Sequence, residues 1–224
     1  MPEIGLLISV IDNLTLLALL LTAAILLIKK GWEQKLQLFI LLHVLYNLFL
    51  FGIVYIYPMD SPTFQAISNL TIHIDTITGL LFFYFLWDDT RYRRFLLITI
   101  IPVIATWMLT LFIKGIYRNT FWNQLLPSFW YMLAAGYAMI LLYRNSSLTV
   151  NTVYVSRFLL IAGFLFYNFI FLVLQTFYIY FTSISDITDA WNINYWAYFI
   201  FRLLMLAGVI FWFRKPAALQ PIIR

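Results

Sequence analysis

Residues 69–87 read NLTIHIDTITGLLFFYFLW, and the architecture of the chain turns on what kind of helix this is. At about 100° per residue, Asn69, His73 and Thr76 fall on one face, while Thr71, Asp75 and Thr78 fall on nearly the opposite one. A helix with one side against lipid could not carry polar groups on both. The stretch therefore predicts a central membrane-spanning helix, the third of the chain, packed by neighbours all round. The same geometry sends His73 and Asp75 apart, so the two do not form one site.

The chain on either side supports a membrane setting. Of its 224 residues 64% are hydrophobic and 10% charged, against about 45–50% and about 25% in soluble domains. The mean hydropathy is +0.92. That much apolar surface cannot be hidden in one water-soluble core of this size, so lipid is the expected solvent. A spanning helix needs roughly 20 mainly apolar residues. Such stretches fall at Gly5–Ile28, Leu36–Tyr57, Phe64–Trp87, Phe95–Ile113, Phe121–Tyr143, Phe158–Phe181 and Trp191–Phe213. The first is preceded by Glu3 and no basic residue, and it runs too long for a signal peptide. The reading is all-α: one polytopic seven-helix domain over residues 1–213 and a short basic tail over 214–224.

Orientation follows from the basic residues beside each span. Lys29, Lys30, Lys35, Arg91, Arg93, Arg94, Arg144, Arg157, Arg214, Lys215 and Arg224 share one side, eleven of the fourteen in the chain. The opposite loops hold only Lys114 and Arg118, and Arg202 lies within a span. The rich side is expected to be cytosolic, with the N-terminus outside and the C-terminus inside. Trp32, Tyr57, Trp87, Trp122, Tyr143, Trp191 and Trp212, near span ends, fit interfacial belts.

Ionisable groups in mid-span are costly, about 2.5–3.5 kcal/mol each on insertion scales, and usually face protein or water. Asp12, Asp75 and Arg202 are the three formal charges within spans, joined by His43 and His73. Counting about 1.5 Å per residue from the basic end places Asn47, Asp75, Asn168 and Arg202 at about 16–18 Å, near mid-membrane. An Asp75–Arg202 pair flanked by the two asparagines is one expectation; the other is that Arg202 snorkels toward the cytosol and Asp75 is protonated. His43, Tyr46 and Asn47 form a stripe on helix two, and Tyr195, Tyr198 and Arg202 a stripe on helix seven. Asp12, Asn13 and His73 come out higher, at about 21–24 Å. With Asn194 and Tyr198 they form a candidate ligand pocket, opening outward between helices one, three and seven. Interhelical hydrogen bonds worth only ~0.6 kcal/mol each are the plainer reading of any single member. The cluster as a whole points to function, because intramembrane ionisable groups usually serve it.

Several chemistries drop out. The chain has no cysteine, so disulfides, thiolate metal sites and cysteine nucleophiles are excluded. The net charge of +5 is dispersed over short loops, which argues against nucleic acid. Retinal would need a lysine inside the bundle. Seven-helix zinc hydrolases need histidines on helix seven, which are absent, and His43 and His73 differ in depth by about 10 Å. No catalytic residue, metal ligand or cofactor is assigned. Asp89-Thr90-Arg91-Tyr92 reads as a basic flank rather than a receptor motif. The echo between Leu45-Tyr46-Asn47 and Phe166-Tyr167-Asn168 covers too few residues to establish an internal repeat.

The polar start and aromatic end of Asn69 to Trp87, Arg157-Phe158 with Gly163 and Tyr167, and Trp196 to Trp212 carry a resemblance over most of the chain. On them the chain resembles a group of uncharacterised bacterial seven-helix membrane proteins of the Bacteroidetes. The resemblance implies an acid in mid-helix three, a place Asp75 fills, and an inner-membrane location. Three roles remain: a sensor or receptor-like module, a small-solute transporter, or a structural or assembly subunit. The receptor reading leads, because dispersed, unrepeated polar residues suit a pocket better than alternating access. Without an output domain it would act through a membrane or cytosolic signalling partner. No oligomeric state is implied.

Overall fold

The computed structural model describes residues 2–58, 61–117, 121–145, 151–177 and 184–214. Among these the chain is entirely helical: α1 (Pro2–Ile28), α2 (Lys35–Ile56), α3 (Pro62–Leu86), α4 (Thr90–Lys114), α5 (Phe121–Arg144), α6 (Thr152–Phe177) and α7 (Ile184–Phe213), with one 3-10 turn at Gly31–Glu33. All seven are long and apolar enough to cross a membrane. Large apolar side chains cover the outside, up to Phe112 at 91% exposure. A surface of that kind is stable against lipid and not against water. The expected tail over residues 215–224, the end of helix six past Phe177 and the side chain of Trp122 lie outside the described residues.

Capping explains where two helices begin earlier than hydropathy suggests. The Asp89 carboxylate accepts a hydrogen bond from the Tyr92 amide at 2.7 Å. The Asn151 side chain accepts one from the Tyr154 amide at 2.7 Å. Each satisfies an otherwise orphaned N–H of the first turn. Helices four and six therefore start at Thr90 and Thr152, a turn or more before the apolar windows at Phe95 and Phe158. Ser61 caps α3 in the same way, followed by Pro62 in the first turn.

Helix contacts close a ring in the order α1, α2, α3, α5, α6, α7, with α7 returning to α1. Helix α4 stands outside it, leaning on α3 and α5, and is the least buried of the seven. The expectation that helix three is covered on every side is thus corrected. It is a member of the ring, with α4 over one polar face, while Leu70 and Ile74 remain 49% and 48% exposed. Its two polar faces are served by different neighbours, the ring interior for Asp75 and α4 for His73.

The most extensive contact in the ring is between α6 and α7. Gly163 lies against Phe201 and Leu204, and Gly208 against Leu160, where an added methyl would come within 2.8 Å of Leu160 Cγ. The Ser156 hydroxyl donates to the Gly208 carbonyl at 2.6 Å. Small residues permit such backbone proximity, the usual basis of helix association in lipid. Below the polar layer Phe82, Phe83 and Phe164 form an aromatic core with centroids 5.0–5.6 Å apart.

Candidate functional site

Asn47, on α2, is the hub of the mid-bundle polar groups. Its amide nitrogen donates to Asp75 Oδ1 at 2.8 Å and to the His43 carbonyl at 2.8 Å. Its amide oxygen accepts from Arg202 Nη2 at 2.6 Å and from the Tyr198 hydroxyl at 2.9 Å. Both donors and both acceptor positions of the side chain are thereby used. The Tyr198 hydroxyl also accepts from Arg202 Nη2 at 2.7 Å. Three helices, α2, α3 and α7, meet at one amide.

His43 makes a second bridge. Its Nε2 lies 3.2 Å from Arg202 Nη1. Because a guanidinium only donates, Nε2 accepts and the ring proton resides on Nδ1. Nδ1 is 3.0 Å from Asp75 Oδ1, off the axis of the ring N–H. Asp75 and Arg202 therefore form no direct salt bridge, contrary to the expected pair. Their charges are joined through an imidazole and an amide. Arg202 is 2% exposed and lies over the rings of Tyr198 and Phe201, at 4.5 and 4.6 Å from their centroids.

Helix α5 holds Asp75 from behind. The Tyr131 hydroxyl donates to the Asp75 carbonyl at 2.6 Å. Its ring packs against Gly79, one turn further along α3, and a methyl there would overlap the hydroxyl and ring. Gly79 is thus the gap that lets a tyrosine from the neighbouring helix reach the α3 backbone.

These residues border a cavity of about 300 Å³ inside the ring, at the lower end of ligand cavities. It extends from His43, Asp75 and Arg202 past Asn168 to Ser68, Asn123 and Trp191, near the ends where α3, α5 and α7 begin. Asp75 keeps 29% of its side-chain surface accessible, and Oδ2 takes no partner among the described residues. Asn168, expected beside the pair, lines this cavity but turns its amide back to the Phe164 carbonyl at 2.8 Å.

No family model, curated protein or solved structure matches this chain.

The second expected cluster is divided. Asp12, Asn13, Asn194 and Tyr198 line a separate cavity of about 540 Å³ between α1, α2 and α7, mainly apolar and including Val54, Phe64 and Tyr195. His73 is not part of it. It is buried on the far side of α3, its ring 5.0 Å from that of Trp107 on α4, with neither nitrogen hydrogen-bonded among the described residues. The two cavities share Asn47, Leu50, Tyr167 and Tyr198 as a common wall. No group of three or more metal-ligating side chains occurs among the described residues.

Sequence reasoning placed Asn47, Asp75 and Arg202 in one layer and put His43 on the correct stripe without using it as the bridge. It missed Tyr131 and Gly79 altogether. A glycine one turn after a buried acid was the available signal for a close approach.

Proposed function

We propose that this protein is a receptor-like membrane protein that takes a small ligand in the Asp75 cavity and reports it through the α2–α3–α7 junction. The observation that carries this is Asn47, whose four hydrogen-bonding positions are all committed to α2, α3 and α7. A ligand engaging Asp75 competes for groups that hold three helices in register, which supplies the differential interaction a switch requires. In this reading the N-terminus is outside, the cavity opens outward, and the basic loops face a cytosolic partner across a bacterial inner membrane. The kinship with the Bacteroidetes group belongs to the same proposal, resting on Asp75 at mid-helix three.

The full chain in lipid nanodiscs, screened against small polar solutes by thermal unfolding, tests the reading. A stabilising solute is expected whose effect vanishes in Ser68→Phe, which fills the cavity away from the polar network. Stabilisation that survives Ser68→Phe places the ligand elsewhere and sinks the assignment. Reporter fusions at the two termini test the orientation, and finding both in one compartment would refute it. A transporter is the second reading, favoured by the shared wall, since movement of Tyr198 would join the two cavities. Solute flux into proteoliposomes separates the two. A purely structural subunit fits less well, because the interior is hollow where its polar groups converge.

A further inference from the structure

We infer that the occupant of the Asp75 cavity is a small organic cation, an alkylammonium or amine; this rests on the proposed ligand-binding role of that cavity. The argument begins with an asymmetry between the two charges of the site. Arg202 is closed off: Nη1 meets His43 and Met205 Sδ, Nη2 meets Asn47 and Tyr198, aromatic rings cover its face, and Nε, without a partner among the described residues, is buried away from access. Asp75 is open: Oδ1 accepts from Asn47 and lies 3.0 Å from His43 Nδ1, Oδ2 has no partner among the described residues, and the side chain lines the cavity with 29% of its surface accessible. A ligand entering this space meets an accessible carboxylate and a guanidinium whose terminal nitrogens are already engaged.

The walls repeat the preference. Tyr46, Tyr131, Tyr167 and Phe171 line the same cavity as that carboxylate, with Trp191 at its far end. Aromatic faces attract cations through their quadrupoles. An aromatic enclosure with one free carboxylate oxygen is the chemistry that selects an ammonium group over a neutral solute of the same shape. An anion would find no free donor on Arg202 Nη1 or Nη2 and would be repelled by Oδ2. The cavity of about 300 Å³ limits the choice to a compact ion.

The test uses choline and tetramethylammonium as probes, with 3,3-dimethylbutan-1-ol as the uncharged counterpart of choline and acetate as the anion. Binding to the full chain in nanodiscs is read by calorimetry. Saturable binding of the two cations is expected, with none of the alcohol or acetate. Asp75→Asn should weaken both cations about tenfold or more, because a quaternary ammonium, which has no N–H to donate, loses its counter-charge inside a low-dielectric cavity. Ser68→Phe should abolish binding while leaving Asp75 in place, which covers the case in which Asp75→Asn does not fold. Alcohol binding as tight as choline, or acetate binding, lost in Ser68→Phe, overturns the cation assignment and leaves the ligand pocket standing. Cation binding unchanged by Ser68→Phe overturns the placement of the site. If neither these probes nor the solute screen finds a ligand sensitive to Ser68→Phe, the cation assignment and the receptor reading fall together.

Discussion

Asp75 is held by Asn47 and His43 from α2 and braced through its backbone by Tyr131 from α5, whereas Asp12, in the neighbouring cavity, takes no hydrogen bond among the described residues. Both are carboxylates in predicted spans, and both border a cavity large enough for a ligand. The difference is how many helices each one reports on. Asp75 is wired to α2 directly and to α7 through Asn47 and His43, so its occupancy bears on helix positions. Asp12 can gain or lose a partner with little consequence for the ring. A polar group within the membrane marks a candidate site, and its connections decide whether the site is coupled to anything.

The comparison is broken or sharpened by substitution. The largest effect is expected from Arg202→Leu, which leaves Asn47 and His43 without the cation they share and Asp75 without the positive charge they relay to it. Breaking a buried charge network by removing one member costs about 3–5 kcal/mol, read as a fall in unfolding temperature and lower yield of folded protein. A wild-type melting profile would show that the network does not hold the bundle. Gly79→Ala should come next, at about 1–3 kcal/mol, because Tyr131 is buried and has little room to retreat. Pairing it with Tyr131→Ala should recover part of the loss, and failure to do so would mean that the clash is absorbed elsewhere. The smallest effect is expected from Asp12→Asn, within about 0.5 kcal/mol of wild type. A loss matching that of Arg202→Leu would erase the distinction between the two cavities.

Depth was legible in the sequence; azimuth was not. Counting ~1.5 Å per residue brought Asn47, Asp75 and Arg202 to one level, and the structure joins them there. The same count set His73 beside Asp12, yet they lie on opposite sides of α3, because rise along one axis carries no information about which neighbour stands at each bearing. The seven spans were legible from hydropathy, since each must be apolar over a bilayer's thickness. The starts of α4 and α6 were not, because side-chain caps at Asp89 and Asn151 add polar turns outside the apolar window. Tyr131 was hidden for a related reason. Its role depends on α5 following α3 around the ring, with α4 displaced to the outside, an order fixed by packing rather than by chain sequence.

The Gly163 and Gly208 contacts, with the Ser156 bond between them, have a mechanical meaning. Two backbones pressed this closely cannot slide past one another without overlap, so α6 and α7 behave as a single stiff lever. Arg202 and Tyr198 form its grip on Asn47. Loosening that grip would swing both rods together and carry Arg157, wedged between Trp87 and Trp212 at one end of the pair, along with them.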